Sequence, residues 1–409
     1  MIVVVGIGAG GWDEIPVRHQ QLVLESAVLL GGKRHLDLVP DVPGQRREPW
    51  PSPLREGLPA LLESLPDDAP VVVLASGDPL VSGIGTTLIS LLGRKNVRIE
   101  PAVSSVALAR ARMGWPAESC AVVSLVGRDV SLVARELAPG RRILALSADG
   151  STPAAIANLL VTAGFGGSMM TVLGDLGAET ESAHTGTAST ASTWAGESPR
   201  LNIVAIECVG TTLLGWAAGL PDDAFENDGQ LTKRDLRASA LARLAPTPGA
   251  HLWDVGAGAG SVGIEWMRAH PSCTSTAVEA SPERAARIAR NATRLGVPGL
   301  TVVQGRAPDA LRDLPAPDAI FIGGGATRPG VLDTCLAALR PGGRLVVHGV
   351  TLETEQLLAT AYQQHGGELT RIAVETSAPI GTFTGWTPAR TVTQWSFVDP
   401  TSSSSSAGV

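Results

Sequence analysis

Two stretches of this 409-residue chain set glycines directly after an apolar run, an arrangement that brings backbone close to a ligand. The first is Val3-Val4-Val5-Gly6-Ile7-Gly8-Ala9-Gly10-Gly11. The second is Trp253-Asp254-Val255-Gly256-Ala257-Gly258-Ala259-Gly260. In the second, Gly256, Gly258 and Gly260 have the spacing of a strand–turn–helix loop whose helix offers free N–H groups. Glu279 ends the next apolar run, twenty-five residues after Asp254. An acid at that strand end can accept both hydroxyls of a ribose, so a nucleoside ligand is implied. Asp254 has two open readings: bracing the loop and helix, or lying near a ligand amino group. Gly323 and Gly324, in Phe321-Ile322-Gly323-Gly324-Gly325, leave room for a bulky ligand or simply make a turn. Upstream, Ala75-Ser76-Gly77-Asp78-Pro79-Leu80 reads as a strand-end turn that could also meet a ligand. Ser104 or Ser105 is a natural N-cap for a helix over Val106 to Met113, a role compatible with binding.

The elements that must hold these residues alternate. Strands are predicted at Ile2 to Val5, Val71 to Ala75, Val97 to Glu100, Ala121 to Val126, Arg142 to Leu146, Met169 to Leu173 and Leu201 to Ile206. Helical spacings lie between them at His19 to Leu30, Gly83 to Leu92 and Pro153 to Ala163. Downstream, a helix over Lys233 to Leu244 is followed by strands at His251 to Val255, Thr274 to Glu279, Leu300 to Val303, Ala319 to Ile322 and Arg344 to Val347. Glu368 to Glu375 and Val392 to Val398 are expected to close the sheet as an antiparallel, hairpin-like end. The fold class is α/β, in two domains at residues 1–209 and 230–398. The span 210–229, whose part from Leu220 to Gly229 is polar, acidic and turn-rich, is read as a linker and the serine-rich end 399–409 as a disordered tail.

A chain of this length accommodates two compact units. With 44% hydrophobic and 17% charged residues it has an ordinary globular profile, and its net charge of −7 argues against bulk attraction to nucleic acid. Cys120, Cys208, Cys273 and Cys335 lie too far apart for a paired metal or disulfide framework, so buried thiols and no metal site are expected. No basic leader follows Met1, and Glu207 with three glycines interrupts the apolar stretch Ile203 to Leu220. A cytoplasmic protein without membrane contact is expected.

The downstream segment, from Gln230 to Val398, resembles class I S-adenosylmethionine (SAM) methyltransferases. The resemblance rests on the loop at Gly256, Gly258 and Gly260, on Glu279, and on the strand ending Phe321-Ile322-Gly323-Gly324. It implies a Rossmann-like fold in which the loop passes the methionine part of SAM, Glu279 holds the ribose, and Gly305-Arg306-Ala307 lies by the adenine.

The upstream segment, Met1 to Val209, resembles the tetrapyrrole methylase family. The carrying residues are Val5-Gly6-Ile7-Gly8-Ala9-Gly10-Gly11, Ala75-Ser76-Gly77-Asp78-Pro79-Leu80 with Gly83-Ile84-Gly85, and Pro101-Ala102-Val103-Ser104-Ser105. This implies two α/β subdomains with SAM folded between them, touched near Gly8, by Gly77, Asp78 and Pro79, and by Ser104 and Ser105. The family's first loop usually carries a proline and an aspartate after the second glycine, whereas this chain has Ala9-Gly10-Gly11-Trp12-Asp13.

The order of the two segments resembles that of fused, decarboxylating methyltransferases of cobalamin biosynthesis. What that implies is SAM-dependent methylation of a precorrin tetrapyrrole at C-5 and C-15, with loss of an acetate carboxyl as carbon dioxide. Expected partners are the tetrapyrrole and further copies of the chain in a homo-oligomer. Its carboxylates call for cations; candidates are Arg112 and Arg128 upstream, and Lys233, Arg234, Arg237 and Arg328 downstream, with Arg328 favoured because it follows the glycine-rich strand end. Each competes with the reading of a solvated surface charge. His348 is read as a satisfied strand-end histidine. No catalytic side chain is assigned. An NAD-dependent oxidoreductase and a non-catalytic SAM-binding regulator are the alternatives.

Overall fold

The first apolar runs are short, rich in valine, and buried on both faces, and parallel pairing is what permits that. The computed structural model describes residues 1–66, 68–191, 194 and 198–400. The chain divides into two compact units, Met1–Thr212 and Leu213–Val409.

In the upstream unit Ile2–Ile7 (β1), Val28–Gly31 (β2), Arg46–Pro49 (β3), Val71–Ser76 (β4) and Val97–Glu100 (β5) form a parallel sheet in the order β3-β2-β4-β1-β5. Side chains alternate between two cores: Val4, Leu30 and Val73 on one face, Val5, Leu29 and Leu74 on the other. A second sheet, β6-β7-β10-β8-β9, contains Cys120–Ser124 (β6), Arg142–Leu146 (β7), Met169–Gly174 (β8), Ser182–Thr187 (β9) and Asn202–Glu207 (β10). Only its β6–β7 pair is parallel.

One predicted helix is corrected. The spacing over His19 to Leu30 covers a helix at Val17–Leu24 and then strand β2. Val28, Leu29 and Leu30 pair with Val71, Val72 and Val73, and all four residues of β2 are buried. A four-residue run buried on both faces has no alternation to mark it as a strand, so its apolar positions continue the helical pattern.

Downstream, His251–Val255 (β11), Thr274–Glu279 (β12), Thr301–Gln304 (β13), Ala319–Ile322 (β14) and Arg344–Gly349 (β15) are parallel, in the order β13-β12-β11-β14-β15. This is the doubly wound arrangement, and its strand order reverses between β11 and β14, where ligands of such sheets bind. Glu368–Ile372 (β16) and Val392–Val398 (β19) pair antiparallel as expected, but β19 lies between β15 and β16. They do not form a simple hairpin: Glu375–Ile380 (β17) and Phe383–Pro388 (β18) intervene as a separate two-stranded sheet. Of the expected disordered tail 399–409, residues 401–409 lie outside the described residues, while the Asp399 N–H donates to the Gly343 carbonyl at 2.9 Å.

Within span 210–229, Leu220 and Phe225 are buried in the downstream core. They are tied down by Arg237, a fully buried side chain on the helix Arg234–Leu244. Its Nε donates to Glu265 Oε1 at 2.5 Å, Nη1 to the Thr232 carbonyl at 2.5 Å, and Nη2 to the Leu220 carbonyl. Glu265 in turn accepts from the Gly219 and Leu220 N–H groups at 2.6 and 2.9 Å. Arg237 is therefore spent inside the fold and is removed from the carboxylate-binding candidates. Replacing Glu265 by alanine leaves the buried guanidinium only the more exposed Asp222, 3.3 Å from Nη1, as an anionic partner, and the expected loss is about 3–5 kcal/mol from the downstream unit. Urea unfolding checks this, and a loss under about 1 kcal/mol would show that the pair does not hold the segment.

Candidate active sites

Three upstream loops converge at the carboxyl ends of β1, β4 and β5. The Gly77 N–H donates to the Ile7 carbonyl at 2.9 Å, and the Gly77 carbonyl accepts from the Ala102 N–H at 3.2 Å. A Cβ on Gly6 would fall 2.0 Å from that Gly77 carbonyl oxygen, so the backbones meet with no space for any side chain. Asp78 closes its own turn, Oδ1 accepting from the Leu80 N–H at 2.9 Å. The Pro79 carbonyl accepts from the Gly85 N–H at 3.1 Å. Ser104 caps the helix Ser105–Met113 by accepting from the Ala107 N–H at 3.1 Å. The turn and cap readings of these residues are thus realised.

The same residues line a cavity of about 400 Å³. Gly8, Gly77, Asp78, Ser104 and Ser105 border it, and Pro79 sits in the turn behind. Its volume is within the roughly 300–1,000 Å³ of small-molecule sites. The far wall comes from the second sheet, through Leu146, Leu173, Asp175 and Asn202. Arg34 and His35, which the sequence reading missed, form a polar corner with Ser76. The reason is direct: with β2 hidden inside a predicted helix, Arg34 and His35 were not seen to follow a strand end. Neither upstream arginine named from sequence is in this wall. Arg112 is bonded to Glu181 at 2.5 and 3.0 Å, and Arg128 is an exposed loop residue.

The downstream site is built around Glu279, which is buried at the end of β12. Its Oε2 accepts from the Gly258 N–H and its Oε1 from the Ser281 N–H, both at 2.9 Å. A carboxylate offers about four lone-pair positions; two remain. Gly256 and Gly324 back onto each other, since a Cβ on Gly256 would lie 2.7 Å from the Gly324 carbonyl oxygen. Gly258 is similarly covered by the Gln230 carbonyl, at 2.6 Å from its would-be Cβ. Gly260 packs on Ile288. Asp254 is buried, and its Oδ2 accepts from the Gly263 N–H in the first turn of the helix Ser261–Ala269 at 2.9 Å. The geometry is that of the bracing role. Gly305 bonds through its N–H to the Glu279 carbonyl at 2.9 Å, and Arg306 and Ala307 continue from it. Gly323, Gly324 and Arg328 are exposed beyond β14. Lys233, also exposed, is 3.6 Å from Asp222. His348 is half-buried near the end of β15 and pairs with the Gln394 amide at 2.9 Å, as a satisfied strand-end histidine does.

Comparison with known proteins accords with these two loop systems. A family model described as tetrapyrrole (corrin/porphyrin) methylases matches residues 1–192, and one described as a precorrin methyltransferase domain matches residues 223–399. A relative from Sinorhizobium sp, named precorrin-6Y C(5,15)-methyltransferase (decarboxylating), is 46% identical over 97% of this chain and 96% of its own. The chain belongs to the precorrin-6Y C(5,15)-methyltransferase (decarboxylating) family. Two Salmonella typhimurium proteins resemble parts of this precorrin-6Y methyltransferase family member. A cobalt-precorrin-7 C(5)-methyltransferase is 34% identical over 45% of the chain and 89% of its own length. A cobalt-precorrin-6B C(15)-methyltransferase (decarboxylating) is 33% identical over 37% of the chain and 80% of its own.

Burial raises the Asp254 carboxyl to about 7; the Gly263 N–H opposes this and the Glu279 charge adds to it. Its folded pKa lies above its ordinary value of 3.8, so the folded state keeps a proton that the unfolded chain releases. Stability of the downstream unit is therefore expected to fall as pH rises from about 4 to about 7 and then to level off. Asp254→Asn, which keeps the acceptor, is expected to flatten that slope. Urea midpoints at pH 5 and 7.5 for the two proteins decide it: equal slopes would mean that Asp254 ionises freely.

Proposed function

We propose that the chain carries two SAM-dependent C-methyltransferase sites, which methylate a precorrin at C-5 and C-15 and release one acetate carboxyl group as carbon dioxide, in cobalamin biosynthesis. The observation that carries this reading is the near-full-length similarity to a relative of that name. Separate relatives named for the C(5) reaction and for the decarboxylating C(15) reaction, each matching less than half the chain, support a division of labour. We assign C-5 to the upstream unit, and C-15 with decarboxylation to the downstream one. The dividing point falls within residues 210–229, with the cut best placed ahead of Leu213.

SAM, when bound, supplies an electrophilic methyl group on a sulfonium. Upstream, Gly8, Gly77, Asp78, Pro79, Ser104 and Ser105 would hold it, mostly through backbone, in a cavity of suitable volume. Downstream, Gly256, Gly258 and Gly260 shape the loop, and Glu279 has two lone-pair positions left for the ribose hydroxyls. Gly305, Arg306 and Ala307 flank the adenine position, while Asp254 acts by holding the loop and helix together. Gly323, Gly324, Arg328 and Lys233 are assigned to the tetrapyrrole side. What the residues contribute is alignment and exclusion of water, and such positioning is worth roughly 7–11 kcal/mol in favourable cases. An electron-rich meso carbon needs no protein nucleophile.

Full-length protein incubated with labelled SAM and the reduced precorrin should transfer two methyl groups and release one carbon dioxide per macrocycle. A product with a single methyl, or one retaining the carboxyl, would overturn the two-site reading. Glu279→Ala should weaken SAM binding at the downstream site by about 1.5–3 kcal/mol, and leave the upstream site unchanged. Two-site calorimetry reads this, and an unaltered downstream affinity would take Glu279 out of the site.

A further inference from the structure

Arg34 differs from the two fully buried arginines, Arg237 and Arg268, in how its charge is met. Arg237 has Glu265, Asp222 and two carbonyls, and Arg268 donates to the Leu295 and Leu214 carbonyls at 2.6 and 3.0 Å. Arg34 is half-buried in the wall of the upstream cavity, and its side-chain partner is an imidazole: Nη2 lies 2.9 Å from His35 Nε2. Ser76 Oγ lies 2.9 Å from the same nitrogen. A guanidinium can only donate, so Nε2 is the acceptor and the ring proton sits on Nδ1. That Nδ1 is buried without a partner. Burial, helped by the Arg34 charge, lowers the His35 pKa to about 4, so the ring is neutral at neutral pH. Burial also lowers the Arg34 pKa, and Asp175 opposes this by its charge without forming an ion pair among the described residues.

We propose that Arg34 is the carboxylate anchor of the upstream cavity, its guanidinium oriented by His35 and Ser76 and left free to receive a bidentate carboxylate from a bound ligand. Three features converge on that role. A desolvated cation without a hydrogen-bonded anion is costly, and a ligand carboxylate removes the cost. The guanidinium keeps at least two unused N–H donors in a planar fork that matches a carboxylate. The neutral imidazole fixes the rotamer without neutralising the charge. This assignment replaces Arg112 and Arg128, and rests on the reading above that the cavity binds SAM and a tetrapyrrole. Both ligands carry the required group, as the methionine carboxylate of SAM or as an acetate or propionate of the macrocycle.

The test uses full-length wild type, Arg34→Gln and Arg34→Lys. Equilibrium binding is measured for SAM, for 5′-methylthioadenosine, which lacks the amino-acid carboxylate, and for the reduced precorrin. If the macrocycle is the source, Arg34→Gln weakens precorrin binding by roughly ten- to a hundred-fold and leaves both adenosyl ligands unaffected. If SAM is the source, SAM at the upstream site weakens by that factor and 5′-methylthioadenosine does not. In either case Arg34→Lys recovers part of the loss. Unchanged binding of all three ligands overturns the proposal, and so does an equal loss for SAM and 5′-methylthioadenosine, which marks a purely structural role. A wild type that binds in an Arg34-dependent way yet does not methylate C-5 would defeat the functional reading and leave the anchor standing.

Discussion

Main chain packed directly on main chain, at the carboxyl ends of parallel strands, is the constraint on which both sites depend. Upstream, the Gly6 backbone sits against the Gly77 carbonyl; downstream, Gly256 sits against Gly324. Neither junction has space for one methyl group. In each unit this contact draws together loops that are distant in sequence. A ligand that approaches so closely is recognised by fixed dipoles, which need little reorganisation when it arrives.

The two units arrive at this contact with different polar support. Downstream, charge is organised behind the loop: Glu279 holds the Gly258 and Ser281 N–H groups, Asp254 holds the Gly263 N–H, and Arg237 with Glu265 anchors the incoming segment. Upstream, the loops are closed mainly by turns and a helix cap, and the charged groups stand at the cavity wall instead. One loop system is therefore braced from behind, and the other has its charged groups gathered in the wall of an otherwise largely apolar cavity.

Most of the fold was legible because most of its strands are apolar runs, short but separated by turn residues. The order of the glycine loops, the Gly77-Asp78-Pro79 turn, the Ser104 cap and the Glu279 strand end could all be read before any coordinates. Some elements were not, the separate β17–β18 pair among them. β2 has no alternation, being buried on both faces. β3, Arg-Arg-Glu-Pro, is a charged edge strand, and β9 is a polar one, so neither carries an apolar signature. Residue roles were harder still: spacing can identify an arginine but not its partners, and only geometry shows Arg237 satisfied inside the core while Arg34 faces a cavity.

The position of β19 has a consequence for how the chain comes to be folded at all. Because it threads between β15 and β16, β16 has no neighbour in the sheet until the final strand is made. Chain synthesis runs from the N-terminus, so the upstream unit can be complete while the seven-stranded sheet is still waiting for its last member. Until Trp395 seats against Leu345 and Leu358 in the core, the face it covers stays open. A truncation that removes β19 would thus leave β16 unpaired and that face of the core uncovered, whatever the state of the upstream unit.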